Sequence, residues 1–270
     1  SAAMWSGAAI GLALSAPALP LTAGAHPFTS WRIVWIAMAI CAPFIARGFV
    51  GSLRRLPRLS TPGGADASAP AFDARDNLRP NRLLFLDLTY FFFGVAYIIY
   101  ATYAVALFTA RGLPVVGVAM VWAIVGIASV LGTWWAGAVL DAPAGRYVAA
   151  ATMAAGAIGT ALALGPGMGW ACASATCFGL GLAATPAAIT ALARKRTSAR
   201  AYPAAYTWIT MMLGSGQFVG PLIAGAFVAR GGLAAALAVA VVMYAAGVLC
   251  ALLDAVATAE RRSCRVREAV

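Results

Sequence analysis

Eight long apolar stretches constrain this chain more than any other feature of its sequence. They cover approximately 4–23, 31–50, 83–109, 113–140, 147–164, 169–192, 204–229 and 233–257. A helix needs about 20 mostly apolar residues to cross the hydrocarbon core of a bilayer. Spanning segments must be helices or strands of closed barrels, and runs this long lack the alternation of barrel strands. The sequence therefore predicts an all-α, polytopic bundle of about eight transmembrane helices.

The amino-acid composition excludes an ordinary soluble domain. Hydrophobic residues make up 63% of the 270 residues, and charged residues make up 10%. Soluble domains have roughly 45–50% apolar and about 25% charged residues. So few charges cannot cover the surface of a soluble globule, which leaves the lipid bilayer as the main surroundings of the chain.

The basic residues alternate between the two sides of the predicted bundle. Sixteen of the 19 lie in the connections and the tail on one side, and three, Arg32, Arg111 and Arg230, lie on the other side. Because cytoplasmic loops carry an excess of Lys and Arg, this split predicts that both ends of the chain are cytoplasmic. The basic residues are spread over four separate segments, which argues against nucleic acid as a partner. The Arg-rich composition with one lysine indicates a bacterial inner membrane protein.

One connection divides the chain into two helix groups. Residues 51–82 are rich in Pro, Gly, Ala and Arg and have no apolar period, which is typical of a flexible linker. Residues 1–50 hold two predicted helices and residues 83–257 hold six, followed by a tail at 258–270. Two helices can hardly bury a bundle of their own. We therefore expect missing N-terminal helices of the same protein to complete the first group.

Three motifs follow one another along the second helix group. They are Gly137-Ala-Val-Leu-Asp-Ala-Pro-Ala-Gly-Arg146, Phe178-Gly-Leu-Gly-Leu-Ala-Ala-Thr-Pro186 with the basic turn after it, and Gly214-Ser-Gly-Gln-Phe-Val-Gly-Pro221. With the long basic loop before six helices, they resemble the major facilitator superfamily. The segment Gly94–Thr102 is similar to its YbfB/YjiJ-type branch. On this match residues 1–50 are the fifth and sixth helices, and 83–257 are the seventh to twelfth.

The resemblance implies a secondary active transporter that moves a small organic solute by alternating access. It also implies gating roles for Asp141 and Arg146 in the loop after 113–140. That loop has Ala142 where the family usually has a basic residue, and Gly145 lies one position late. Two stripes of small residues would pack the fifth and eighth helices together across the halves. They are Gly7, Gly11 and Ser15, and Gly126, Ser129, Thr133 and Gly137.

Two polar stripes are candidates for the substrate cavity. Along 204–229, Thr207, Thr210 and Gln217 share one helical face. Along 83–109, Tyr90 and Tyr97 share a face and Tyr100 lies one step around it. Burying an amide without partners is costly, and tyrosines offer stacking area with a hydroxyl, so both stripes suit a pocket for an organic solute. Packing between helices is the alternative, and Tyr90 could instead be an interfacial anchor.

Enzyme, metal and nucleotide motifs are poor in this sequence. The one histidine, His26, lies in the turn between the first two stretches, and no phosphate-binding Gly-Lys loop occurs. We expect no catalysis, no cofactor and no metal. No acidic residue lies at the centre of a span, so we expect either that any coupling carboxylate lies upstream or that the carrier is uncoupled, with Asp87 as the one local exception. The alternative function is a non-transporting eight-span scaffold or assembly subunit.

Overall fold

The structure is a computed structural model that describes seven residues between 36 and 48 and residues 83–268, with side chains to 259. The seven belong to one compact unit and are helical, and residues 83–268 belong to the other. The predictions for residues 1–35 and for the linker 51–82 lie outside the described residues. They include the stripe Gly7, Gly11 and Ser15.

Six α-helices and one short 3-10 helix account for this part of the chain. They are α1 Leu84–Ala110, α2 Val115–Val139, the 3-10 helix Pro143–Tyr147, α3 Val148–Leu162, α4 Gly167–Leu182, α5 Ala184–Arg196 and α6 Tyr202–Glu268. No strand occurs among the described residues. Four helical segments are long and apolar enough to cross a membrane: α1, α2, Gly167–Arg196 and Tyr202–Ala259. The predicted all-α membrane bundle is confirmed.

Helix α6 contains two of the predicted stretches and turns back on itself at Gly232. Gly232 has φ 72°, a left-handed conformation that glycine adopts without steric cost. Before it, Gly216 lies beside Phe91 and Gly220 beside Ile98, so this first limb runs parallel to α1. The second limb returns along α1, where one apolar cluster joins both limbs to it. The cluster contains Val95, Ile99, Ala224, Ala236 and Ala240.

Helix α1 and the first limb of α6 approach closely because glycines face each other. A Cβ atom on Gly94 would lie 2.5 Å from the backbone oxygen of Leu213. Added carbons on Gly216 and Gly220 would collide with α1 in the same way. Without a hydrophobic driving force in lipid, helices associate through close packing of this kind. The interface therefore holds α6 at a fixed register against α1.

The stretches 147–164 and 169–192 differ in detail from single full-length spans. Helix α3 has 15 residues, which is shorter than the roughly 20 that a perpendicular crossing requires. The second stretch bends at Ala183, where α4 ends and α5 begins. Pro186 follows in the first turn of α5, where its missing N–H leaves no helical hydrogen bond broken.

Charged side chains collect at one end of this helix group. Helix α5 ends there in Arg194, Lys195 and Arg196, which complement the negative end of its dipole. The Lys195 ammonium donates a hydrogen bond of 2.7 Å to the Leu140 carbonyl at the end of α2. At the opposite end, Arg111 donates hydrogen bonds to the carbonyls of Ala163 and Gly165. Each cation thus caps the C-terminal end of a neighbouring helix.

Candidate functional site

The phenol of Tyr97 and the amide of Gln217 meet between α1 and α6. The Gln217 side-chain nitrogen donates a hydrogen bond to the Tyr97 oxygen, and both residues are half-buried. The Tyr97 ring also stacks on Phe93, with ring centroids 5.0 Å apart. The pair therefore offers an oriented amide carbonyl and one edge of a phenol ring. These are polar groups in helices that are otherwise apolar.

Thr207 and Thr210 lie about three and two turns before Gln217 on the first limb of α6, and both are exposed within this structure. Their hydroxyls donate to the carbonyls of Pro203 and Tyr206, at 3.0 and 2.8 Å. A hydroxyl that donates within its own helix still offers lone pairs to an outside donor. These threonines thus extend the polar face of Gln217 toward the charged end of the helix group.

Tyr90 and Tyr100 lie deeper than Tyr97, although all three belong to α1. Their exposed fractions are 2% and 1%. The Tyr100 hydroxyl pairs with the Ser174 hydroxyl on α4 at 2.8 Å, and its ring stacks on Phe178 with centroids 3.7 Å apart. Tyr100 therefore joins α1 to α4 in the interior. Tyr97, Thr207, Thr210 and Gln217 thus lie on one side of the described helix group. Tyr90 and Tyr100 lie deeper in its interior.

Asp141 follows α2 at the charged end and forms an ion pair with Lys195 of α5. The ammonium nitrogen and the carboxylate oxygen are 2.7 Å apart, and the Asp141 side chain is 87% exposed. The hydrogen bond from Lys195, and then its charge, hold the pKa of the Asp141 carboxyl below its ordinary value. The basic turn after α5 was visible, but its lysine was not linked to Asp141.

Arg146 lies in the 3-10 helix and does not join this ion pair. Its guanidinium carbon stands 4.8 Å from the centre of the Tyr147 ring, a cation–π arrangement. Its Nε atom is buried without a hydrogen-bond partner in the described structure. The two residues predicted for gating thus lie in one loop but have different contacts.

The small-residue stripe of α2 is mostly buried. Gly126, Ser129 and Thr133 are buried and Gly137 is half-buried. The Ser129 and Thr133 hydroxyls donate to carbonyls four residues earlier, at 2.7 and 2.6 Å, so neither needs an external partner. What this stripe packs against across the two halves stays a prediction.

A second ion pair, which sequence reasoning missed, lies inside the charged end. Arg196 donates two hydrogen bonds, of 2.5 and 2.6 Å, to the carboxylate of Asp254 on the second limb of α6. The exposed fractions of the two side chains are 14% and 6%. A carboxylate near the end of a span can stay hydrated, but the side chain of Asp254 is buried. Helices α5 and α6 close over the carboxylate, which neither hydropathy nor spacing reveals.

An open pocket of about 400 Å³ lies beside these ion pairs, lined by Thr190, Ala191, Arg194, Lys195 and Tyr202. The Arg194 guanidinium carbon is 5.9 Å from the centre of the Tyr202 ring. No cluster of three potential metal ligands occurs in the part of the chain that the structure describes. The side chains that line the pocket offer hydrogen bonding, ion pairing and aromatic stacking.

A protein-family model matches most of the chain. The family model described as "Uncharacterised MFS-type transporter YbfB" matches residues 1–255, which is nearly the whole chain. No curated protein and no solved structure matches the chain at a significant level.

Proposed function

Because the chain belongs to the YbfB-type family of major facilitator superfamily transporters, we propose that it moves a small organic solute by alternating access. Membership makes it a multi-pass membrane protein of a transporter family. In alternating access, two groups of helices rock around a central site and expose it to one side of the membrane at a time. We place the protein in a bacterial inner membrane.

The polar face around Gln217 is the observation that carries the proposed solute site. The amide already donates to Tyr97, which leaves its carbonyl free to accept a hydrogen bond from a solute. Exposed Thr207 and Thr210 add hydroxyl oxygens on the same helix face. Tyr97 adds an aromatic surface with a defined orientation, because it stacks on Phe93. Such a surface suits a solute with a hydroxyl or amine group and an apolar part.

The same geometry argues that this face of the site binds through hydrogen bonds rather than ion pairs. No Asp, Glu, Lys or Arg occurs in α1 after Asp87 or in residues 202–229. A formal charge on the solute would need a partner elsewhere in the protein, because an unpaired charge is costly at this depth. Tyr90 supports the site from behind, because it stacks on Phe93, which in turn stacks on Tyr97. Tyr100 instead packs against Phe178 of α4.

The Asp141–Lys195 pair is proposed as part of the cytoplasmic gate, together with Arg146. Lys195 holds both the Asp141 carboxylate and the last carbonyl of α2, so it ties the ends of α2 and α5 together. In an alternating-access cycle, helix ends on one side must separate while those on the other side close. An exposed ion pair suits this task because its net strength is small and it can break in each cycle.

A counterflow screen in proteoliposomes tests the proposed function. The complete protein encoded by the gene is reconstituted and supplied with a panel of radiolabelled neutral and singly charged organic solutes. We expect saturable exchange of at least one solute class, with a raised KM in Gln217→Leu and Tyr97→Phe. Ser215→Ala is the matched control, since Ser215 lies about 200° around the helix from Gln217 and so on the opposite face, and its hydroxyl donates to the Met211 carbonyl of the same helix. Absence of exchange across the panel would favour a non-transporting membrane subunit.

A further inference from the structure

One of the three cations at the end of α5 has no carboxylate partner. Lys195 pairs with Asp141, and Arg196 pairs with Asp254. Arg194 is exposed and forms no ion pair with any side chain that the structure describes. The positive charge of Arg194 is therefore available to an anion that comes from outside the helix group.

Arg194 lines the open pocket between the end of α5 and the start of α6. The volume of this pocket is about 400 Å³. Sites for small ligands have volumes of roughly 300–1,000 Å³. Both charged side chains in its lining, Arg194 and Lys195, are cations, and the other lining residues are Thr190, Ala191 and Tyr202. The pocket therefore favours an anion over a cation.

Tyr202 holds the guanidinium of Arg194 at the edge of this pocket. The guanidinium carbon lies 5.9 Å from the centre of the Tyr202 ring, a cation–π arrangement. The Tyr202 ring lies 5.9 Å, between centroids, from the ring of Tyr206, which is one turn further along α6. An aromatic ring contacts the face of a guanidinium, whereas the N–H groups point outward in its plane. Those N–H groups match the geometry of a phosphate, which can accept two parallel hydrogen bonds.

The open pocket lies at the level where two membrane-length segments end. Gly167–Arg196 ends beside it, and Tyr202–Ala259 begins beside it. The polar headgroups of a bilayer begin at this level, just outside the hydrocarbon core. The charge split of the loops predicts that this end faces the cytoplasm, where anionic lipids make the membrane surface negative. Basic pockets between transmembrane helices on that side are suited to lipid headgroups.

We propose that the open pocket binds a phosphate group whose negative charge is not offset within its own molecule. The Arg194 guanidinium donates hydrogen bonds to the phosphate oxygens. Lys195, although paired with Asp141, adds positive charge to the same lining. An anionic phospholipid and a free phosphate carry the same group, and the level of the pocket favours the lipid. This binding makes and breaks no covalent bond, and it does not depend on the proposed transport.

Native mass spectrometry of the complete protein in a neutral detergent tests for the lipid. The protein is titrated with phosphatidylglycerol, and phosphatidylcholine is the zwitterionic control. Because a charge-assisted contact is lost, Arg194→Gln should bind phosphatidylglycerol about ten-fold more weakly than the wild type. Arg200→Gln is the matched control and should stay close to the wild type, since Arg200 is an exposed cation of the same connection that does not line the pocket. Equal weakening in both variants would overturn the proposal, because the lipid would then respond only to net charge.

Two substitutions at Tyr202 test the geometry without a change in net charge. Tyr202→Phe keeps the aromatic ring beside Arg194, and Tyr202→Leu removes it. Without the cation–π contact the guanidinium is no longer oriented, so phosphatidylglycerol should bind Tyr202→Leu roughly two- to five-fold more weakly than Tyr202→Phe. The same affinity in both variants would contradict the arrangement of the site.

Inorganic phosphate distinguishes the two sources of the group. Its binding to the protein in the same detergent is measured by isothermal titration calorimetry. Arg194-dependent binding of phosphatidylglycerol without saturable binding of inorganic phosphate identifies the lipid as the ligand. Saturable, Arg194-dependent binding of inorganic phosphate, with equal affinity for the two lipids, identifies a free phosphate. Arg194-dependent binding of both shows that the phosphate group alone is sufficient. If neither phosphatidylglycerol nor inorganic phosphate binds more weakly in Arg194→Gln, the proposal fails.

Discussion

Arg196 and Asp254 join α5 to the second limb of α6 through two parallel N–H···O hydrogen bonds between residues 58 positions apart. Bidentate pairing fixes both the distance and the orientation of the two helices. The pair lies one residue beyond the Lys195–Asp141 contact, so two ion pairs of very different exposure hold one helix end. We expect them to respond differently to substitution.

Removal of the buried Asp254 carboxylate should lower the free energy of unfolding. Asp254→Ala leaves the Arg196 guanidinium buried without compensation, which typically costs about 3–5 kcal/mol. We expect a clearly lowered midpoint of thermal unfolding in detergent. Asp141→Ala is the control, because its fully exposed side chain is screened by solvent. Equal midpoints for the two variants would contradict the burial of Asp254.

The Asp141–Lys195 contact should persist at neutral pH and fail only in acid. Because the folded-state pKa of Asp141 lies below its ordinary value, the contact is fully present above the ordinary value, 3.8. It is lost as pH falls through the lower, folded-state value. We expect Asp141→Asn to raise the rate at which amine-reactive reagents modify the Lys195 side chain. The rate is measured by mass spectrometry at neutral pH. The same rate in variant and wild type would show that the pair does not form.

If the pair closes the gate, Asp141→Asn should also lower transport more than it lowers expression. The physical reason is that the variant removes the charge that holds Lys195 at the end of α2. Uptake per unit of folded protein is the measurement. Arg146→Gln provides a comparison within the same loop, since Arg146 contacts Tyr147 rather than Asp141. Transport unchanged in Asp141→Asn would rule out the gating role.

The glycine contacts between α1 and α6 predict opposite effects for two similar substitutions. In Gly94→Ala the new methyl group would lie 2.5 Å from the Leu213 backbone oxygen, so the helices must separate. Overpacking of this kind typically costs about 1–3 kcal/mol. In Gly214→Ala the methyl group meets nothing within 4 Å, and alanine favours the helix by about 0.5–1 kcal/mol. The midpoint temperature of thermal unfolding should therefore be lower in Gly94→Ala than in the wild type. In Gly214→Ala it should be unchanged or higher.

A double-mutant cycle can separate the packing role of Tyr100 from the proposed solute role of Tyr97. Tyr100→Phe leaves the buried Ser174 hydroxyl without its partner, which should cost about 1 kcal/mol of stability. Adding Ser174→Ala should recover part of that loss, since both polar groups are then gone. Neither change should alter the KM of the transported solute. A raised KM in Tyr100→Phe would place this tyrosine in the solute site.

The predicted orientation in the membrane, which rests on the sixteen-to-three split of basic residues, can be tested by labelling. Single cysteines at Ser60, Ser198 and His26 are introduced into a background without the five native cysteines. An impermeant thiol reagent applied to intact cells should label the His26 position alone, because the positive-inside rule puts the other two in the cytoplasm. Labelling at Ser60 or Ser198, but not at His26, would reverse the topology.

The helical bundle itself could be predicted from the sequence because its cause is local. Lipid offers no partner to the backbone, so long apolar runs must become helices wherever they occur. The turn at Gly232 falls between the predicted stretches 204–229 and 233–257, where Arg230 and two glycines interrupt the apolar pattern. The stretch 147–164 is already the shortest of the eight in the sequence, and α3 within it has 15 residues. The bend at Ala183 was not predicted, since hydropathy is nearly uniform there and packing sets the helix ends.

The placement of polar residues was decided by the tertiary structure. Tyr97 and Tyr100 are three residues apart on α1 and look alike in the sequence, yet one faces Gln217 and the other is sealed against Ser174 of α4. Likewise, no sequence feature near Asp254 indicates that it pairs with Arg196, which lies 58 residues earlier. Hydropathy determines which segments enter the membrane. The surroundings of each side chain are determined by helices that are distant in sequence, because burial and pairing are properties of the packed bundle.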